Sequence, residues 1–299
     1  MTVRFATAID PQTKESFSVL QCPACQLGHT KPQPPDLGPY YGAAYHGGRH
    51  AFTSRFCIRR RLRLLRQAAG NGRPGRLLDV GCGDGSFLAA AGERDRWQVA
   101  GTEINPDAAR KKGLEVRESI KEIGKLAGPF RCITLWHSLE HLRDPRAALA
   151  SLAELLEPGG VLLVAVPNAA GWQARTFGAR WFHLDVPRHL FHFSRKALTL
   201  AFQSAGLTPF LQWNQEFEYD LFGWSQSALN QFMPTPNAFF HHLTGKLAAT
   251  SRVERMANLA AGLALTALSV PAVFAGAILN RGGTLVMAAR KADANEPHR

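Results

Sequence analysis

Residues 77–88 read Leu-Leu-Asp-Val-Gly-Cys-Gly-Asp-Gly-Ser-Phe-Leu, an apolar strand that runs straight into Gly81, Gly83 and Gly85 and then into a helix. Glycine takes positive φ at little steric cost, so the chain can turn sharply there and bring backbone amides, that of Cys82 among them, up to a ligand. In the dinucleotide fingerprint Gly-x-Gly-x-x-Gly a third glycine follows three residues after the second; here that position is Ser86. Asp79 ends the strand, where it would repel a pyrophosphate but suit a ligand bearing an ammonium group and a cationic centre. Glu103 follows about twenty residues beyond the glycines, the offset at which an acid accepts from ribose hydroxyls. Both kinds of nucleotide ligand want that acid. An ordinary glycine-rich turn is the bland alternative.

Two further groups could do chemistry. His183, His189 and His192 crowd together with Asp185 and Arg188, and histidine is a sensible proton acceptor near neutrality. The same residues could equally be packed tips bonded to backbone. Cys22-Pro23-Ala24-Cys25 is half of a four-cysteine ribbon, but no second pair accompanies it. His29, His46 or His50 could complete a metal site with the two thiolates; a degenerate ribbon without metal is the expectation.

The elements that must position these residues alternate. A helix over 53–69, closed by Gly70-Asn71-Gly72, precedes strands at 77–80, 97–102, 114–116, 132–135 and 161–166. Helices at 86–93, 106–112, 120–126 and 145–156 lie among them. A helix at 194–205 and strands at 207–213 and 284–289 follow. The pattern predicts an α/β fold, a Rossmann-like seven-stranded, mostly parallel sheet with helices on both faces. Ligands of such sheets bind at the carboxyl ends of the strands, where the glycine loop, Glu103 and Trp136-His137 fall. Residues 1–52 read as an irregular, degenerate ribbon-like lead-in, 53–217 as the main domain, 218–281 as an apolar helical insertion, 282–291 as the final strand and 292–299 as a tail.

The glycine segment, Gly-Thr-Glu-Ile-Asn-Pro at 101–106, Phe-Arg-Cys-Ile-Thr-Leu-Trp-His-Ser-Leu-Glu-His-Leu-Arg-Asp-Pro at 130–145 and Leu-Glu-Pro-Gly-Gly-Val-Leu-Leu-Val at 156–164 resemble the successive motifs of class I S-adenosylmethionine-dependent methyltransferases. Val-Pro-Asn at 166–168 and the stretch 181–194 resemble a bacterial branch related to the ubiquinone-pathway O-methyltransferases, the methyltransferase domain 23 type. The resemblance covers roughly residues 40–217 and the last strand. It implies S-adenosyl-L-methionine as cofactor. Asp79 and the backbone of Gly81, Cys82, Gly83 and Gly85 would hold its methionine part, Glu103 the ribose, Ile104 one adenine face, and Ser119 and Ile120 the adenine edge. Trp136 and His137 would border the methyl group, and His137 or His189 would take the acceptor's proton. Ser119 could also simply cap a helix. Related enzymes hold a divalent metal with acid-x-x-Glu-His, which here reads His137-Ser138-Leu139-Glu140-His141. A histidine in first place is poor for magnesium and favours zinc or no metal; no metal is the expectation. The motif Tyr40-Tyr41-Gly42 with His46 to His50 resembles the branch's entry into the domain.

Composition is compatible. Among 299 residues 45% are hydrophobic, enough for one α/β domain with appendages. Five cysteines give no paired framework, and Asp10, Lys14 and Glu15 interrupt any signal-like pattern. A cytoplasmic protein is the expectation, with peripheral contact at the inner face of the membrane as one reading. The net charge of +12 concentrates in Arg59, Arg60, Arg61, Arg63 and Arg66. Such a helix can meet anionic lipid or stand in solvent; the interleaved aromatics of a nucleic-acid surface are missing, so no nucleic-acid partner is expected. Residues 256–279 contain no charge and are long enough to span a bilayer. A return to the sheet at 284 excludes a single crossing, leaving an interfacial helix, a hairpin or a packed lid. The resemblance implies O-methylation of a small-molecule, lipid-linked or saccharide acceptor. A non-catalytic cofactor-binding partner protein and, more distantly, a nicotinamide-dependent oxidoreductase are the other function classes.

Overall fold

The chain begins with strands β1 (Thr2–Ile9), β2 (Ser16–Gln21) and β3 (Gly28–Lys31), followed by helix α1 (Ala51–Ala69). Then come β4 (Arg76–Val80), α2 (Ser86–Asp95), β5 (Gln98–Thr102), α3 (Asp107–Arg110), β6 (Glu115–Arg117), α4 (Ile120–Ile123), β7 (Phe130–Trp136), α5 (Pro145–Leu155) and β8 (Leu156–Pro167). The remainder comprises α6 (Trp172–Phe177), β9 (Phe191–His192), α7 (Arg195–Ser204), β10 (Leu207–Trp213), α8 (Phe217–Phe232), α9 (Ala238–Leu243), α10 (Arg252–Leu268), α11 (Val270–Ile278) and β11 (Thr284–Lys291). This computed structural model describes residues 1–41, 51–70, 74–124, 128–245 and 250–293. Gly42, His46 to His50 and the Asn71-Gly72 helix stop lie outside them.

The chain divides into two units, one of Ser54–Val166, Leu198–Gln212 and Val286–Arg299, the other of Met1–Thr53, Pro167–Ala197 and Trp213–Leu285. Residues 167–197, placed with the main domain by sequence, thus pack with the amino-terminal segment and the insertion.

In the first unit the sheet order is β10-β11-β8-β7-β4-β5-β6. Strands β6, β5, β4, β7 and β8 pair in parallel, so the predicted seven-stranded, mostly parallel architecture stands. The central strands β4, β7 and β8 are largely buried on both faces and mostly apolar: Leu77, Leu78, Ile133, Leu135, Leu162 and Val164 are all fully buried. Each contributes about 1.5–3 kcal/mol in removal from water. Helix α1 packs Leu62 and Leu65 inward. Next to Leu65, Arg66 clasps Asp95 through Nε and a terminal nitrogen at 2.9 and 2.6 Å. The helix read over 106–112 shrinks to the single turn α3 with Lys111 as its cap, and Gly113 at φ +76 closes the turn that follows.

In the second unit the expectation of an irregular lead-in is overturned. Strands β1, β2 and β3 form antiparallel pairs, and β9 adds a fourth strand to make the order β1-β2-β3-β9. Phe17 and Val19 alternate with outward residues, and with Ala8, Tyr40, Trp181 and Leu184 they make a core of their own. The prolines suggesting irregularity fall at the turns and after β3. Gly28 lies so near His192 that a Cβ would stand 2.9 Å from the histidine's, so β3 and β9 can meet only there with glycine. Cys22 to Cys25 form the β2–β3 turn, with Cys22 N donating to Leu27 O at 2.9 Å and Gln26 N to Cys22 O at 2.8 Å.

Candidate active site

Register puts the chemistry of the first unit at one edge of its sheet. Asp79 lies opposite Gly101 on one side and Thr134 on the other, so the ends of β4, β5 and β7 converge. Gly81, Gly83 and Gly85 all have positive φ, at +75°, +57° and +74°. Their amides, however, do not wait for a ligand. Gly81 N and Cys82 N both donate to Thr102 O, at 2.8 and 2.9 Å, and Gly85 N to Cys82 O at 3.0 Å. Gly83 N donates to Glu103 Oε2 at 2.8 Å. The loop is therefore a surface for close approach and no anion nest, which corrects the expectation of ligand-facing amides. A Cβ on Gly83 would meet nothing within 4 Å, so open space stands before that residue.

Asp79 is buried and accepts from the Thr134 hydroxyl at 2.6 Å. Burial pushes its carboxyl up to about 6; the Thr134 bond and Arg61 oppose the shift and Glu103 adds to it. Glu103 also accepts from Ile104 N at 2.8 Å, which pins its carboxylate beside the loop. Ile104 is 78% exposed, an apolar side chain held ready for a flat partner. Ser119 caps α4, accepting from Glu122 N at 3.3 Å, and with Ile120 it lines a groove beside Ala147, Ala148 and Ser151. The capping role is thus realised, and the groove leaves an adenine-edge role intact.

Trp136 and His137 close β7. Trp136 stacks edge-on to Phe87 with ring centres 5.6 Å apart. The Arg61 guanidinium lies 5.0 Å from the Trp136 ring centre. Sequence reasoning missed Arg61, taking the arginine run as surface charge. Its signal was position: Arg61 adjoins Leu62 and precedes Leu65 by four, at the margin of the buried face. His137 takes φ +55, rare for a residue with a side chain, while its N–H donates to Ala165 O at 2.9 Å. Its Nδ1 is 3.7 Å from the buried Glu140 Oε1.

The histidine-rich loop belongs to the second unit, and there the candidates separate. His192 Nε2 meets the Thr30 hydroxyl at 2.9 Å; since that hydroxyl donates to His189 O at 2.6 Å, the histidine supplies the proton. Burial holds His192 neutral, well below the usual imidazole range. His183 Nε2 donates to Tyr219 O at 3.1 Å. Arg188 is a buried clasp, donating to Tyr40 O at 3.0 Å, Asp10 at 2.9 Å and Asp185 at 2.6 Å. These three build the loop. In His189, Nδ1 lies 2.9 Å from His183 O. A carbonyl can only accept, so Nδ1 carries the hydrogen and Nε2 is the basic nitrogen of the neutral ring. Asp185 Oδ2 lies 3.9 Å from that Nε2. Cys22 and Cys25, weighed as a metal pair, are half-exposed; His29 packs on Phe191 at 5.1 Å, and His46 and His50 lie outside the described residues.

A loop whose amides are engaged within the protein, with acids on two adjoining strands, suits a nucleoside carrying positive charge and no phosphate. The class is that of α/β proteins built to bind S-adenosyl-L-methionine, and the donor set fits that group. A family model described as a methyltransferase domain matches residues 49–211, more than half of the chain, and the chain belongs to this S-adenosylmethionine-dependent family. That membership decides against the nicotinamide alternative. Ubiquinone biosynthesis O-methyltransferase of Xanthomonas oryzae pv. oryzae is 34% identical over 131 residues, 40% of this chain and 54% of that protein. The Escherichia coli protein of the same name is 30% identical over 141 residues, 43% and 58% of the respective chains. The chain therefore spans little more than half the length of these curated relatives. Haemonchus contortus phosphoethanolamine N-methyltransferase 2, solved with S-adenosyl-L-methionine, shares the fold with a TM-score of 0.51 at 14% identity, covering 79% of this chain and 53% of its own.

Proposed function

We propose that the protein transfers a methyl group to a hydroxyl oxygen of a small apolar acceptor, free or lipid-linked. The observation carrying this reading is the convergence of Asp79, Glu103 and the left-handed His137 at the carboxyl ends of three adjoining strands. The O-methyltransferase names of the curated relatives support oxygen as the acceptor atom. S-Adenosyl-L-methionine, when bound, supplies a methyl group already activated on a sulfonium. What the chain must add is position and a place for the acceptor's proton. Asp79 would face the methionine ammonium, Arg61 the carboxylate of the same moiety, and Glu103 the ribose hydroxyls. Arg61 is also the cation that opposes the burial of Asp79. His137 would border the reacting centre, and His189 or His137 would take the hydroxyl proton.

Single exchanges of the two histidines separate those roles. With a labelled methyl group and a panel of phenolic and lipid-linked acceptors, the variant lacking the base is expected to lose about a hundredfold in turnover. Its affinity for S-adenosylhomocysteine stays the same. Unchanged turnover in both His137→Ala and His189→Ala overturns the assignment, and absence of transfer by the unaltered protein to any extract favours the non-catalytic alternative.

The buried acid gives the site a pH dependence. Below about 6 Asp79 is protonated in the free protein, and a neutral acid offers an ammonium group no ion pair. An ammonium partner favours the ionised carboxylate, so affinity for S-adenosylhomocysteine is expected to fall about tenfold from pH 7.5 to pH 5, read by calorimetry. The folding sign follows from the same shift. The folded, ligand-free chain holds this proton more tightly than the unfolded one, so its contribution to stability is full below 3.8 and is lost as pH rises through about 6. In Asp79→Asn the slope of affinity with pH disappears; a persisting slope assigns it to another group.

A further inference from the structure

Helix α10 is arranged inside out. Its covered face carries Asn258 and Gly262, the asparagine donating to Glu254 O at 3.0 Å and the glycine set so close to Phe239 that a Cβ would be 2.5 Å from the ring. Polar and small residues therefore face α8 and α9, on which α10 packs. Its outward face carries Val253, Met256, Leu263 and Leu268, and Phe274 and Ile278 continue it on α11, all between 52 and 79% exposed. Successive outward residues lie three to seven positions apart and together line the outer side of the two helices. Water is a poor solvent for such a face, whose large apolar side chains lie outward while amide and glycine lie within.

Charge identifies what covers it. Arg252 and Arg255 stand exposed at one end of the stripe and Arg281 at the other, with Glu254 the single acid between residues 250 and 284. A second copy of the chain, docked stripe to stripe, would bring arginines against arginines whichever way the helices ran. Anionic lipid headgroups meet both ends with opposite charge. Among the described residues no single helix is long and apolar enough to cross a membrane, and α10 and α11 meet at a bend of 40°. Strand β11, to which the chain returns, neighbours β10, from which it left. We infer that α10 and α11 lie in the surface of an anionic phospholipid bilayer, inserting this stripe among the lipid chains and setting the three arginines at the headgroups.

The inference stands apart from the proposed reaction, and its test needs no turnover. The full chain is expected to sediment with vesicles of phosphatidylcholine and phosphatidylglycerol in about equal parts, and to bind pure phosphatidylcholine at least about tenfold more weakly. Leu263→Ser combined with Leu268→Ser lowers binding to the mixed vesicles about tenfold. These side chains are exposed, so the thermal midpoint and affinity for S-adenosylhomocysteine remain as before, which separates a lost membrane contact from a lost fold. Failure to sediment with either vesicle at low salt overturns the inference. So does a dimer in sedimentation equilibrium that the same two exchanges dissolve, since the stripe then belongs to a second copy.

Discussion

Exchange of Glu103 for Ala is expected to weaken binding of S-adenosylhomocysteine about a thousandfold while leaving the fold intact. The proposed ribose contact comprises two hydroxyl donors on one carboxylate. Hydrogen bonds to a charged group contribute about 1.5–3 kcal/mol each, so losing both approaches three decades in affinity. The fold tolerates the change because, among the described residues, the Glu103 carboxylate bonds exposed partners, Gly83 N and Ile104 N, both at 2.8 Å. Water replaces an exposed bond of that kind. Glu103→Asp keeps the charge but shortens the reach by one methylene, and is expected to recover part of the affinity. Calorimetry supplies the numbers, with thermal denaturation as the control. Affinity within threefold of the unaltered protein would remove Glu103 from the site and leave its two backbone bonds as its whole role.

That prediction could be framed from the sequence because acid, glycines and strand ends carry their information locally. A turn requiring positive φ must spell itself in glycine, and three in alternate positions after an apolar run leave few other readings. Buried parallel strands announce themselves likewise: Val161 to Val166 is apolar on both faces, and Cys132 to Leu135 is interrupted only by Thr134. The amino-terminal sheet announces nothing of the sort. Its third strand, Gly-His-Thr-Lys, has poor strand propensity and is held by partners about 160 residues away. Thr30 N donates to Leu190 O at 3.0 Å and its hydroxyl to His189 O at 2.6 Å. Arg61 was hidden for a different reason. A guanidinium on an amphipathic helix reads as solvated until a neighbouring strand shows the ring it covers. The histidine loop was legible as a cluster but not as roles, since the tautomer of His189 depends on which carbonyl faces Nδ1. The six outward apolar residues of α10 and α11 make the same point in reverse. A charge-free stretch is visible in sequence, whereas which of its faces is covered depends on α8 and α9.

The last prediction concerns two glycines of one loop that differ in what surrounds them. Gly85 sits at φ +74, and a Cβ there would lie 2.4 Å from Leu114 Cδ1 and 3.0 Å from Ala109 Cβ. Gly85→Val thus forces a β-branched residue into the left-handed region and drives it against the α3 turn. The backbone strain costs about 1–3 kcal/mol and the overpacking about as much again. A loss of about 4 kcal/mol takes a large share of the 5–15 kcal/mol typical of such a domain. Gly83 has the same sign of φ, at +57, but open space before it. Gly83→Ala is expected to lose only about 1 kcal/mol by denaturant titration. Its methyl group would nevertheless stand where a ligand must come close, so affinity for S-adenosylhomocysteine falls at least about tenfold. One glycine then serves the fold and its neighbour the ligand. Equal losses of stability in the two variants would refute that division, because the loop would then be a turn and nothing more.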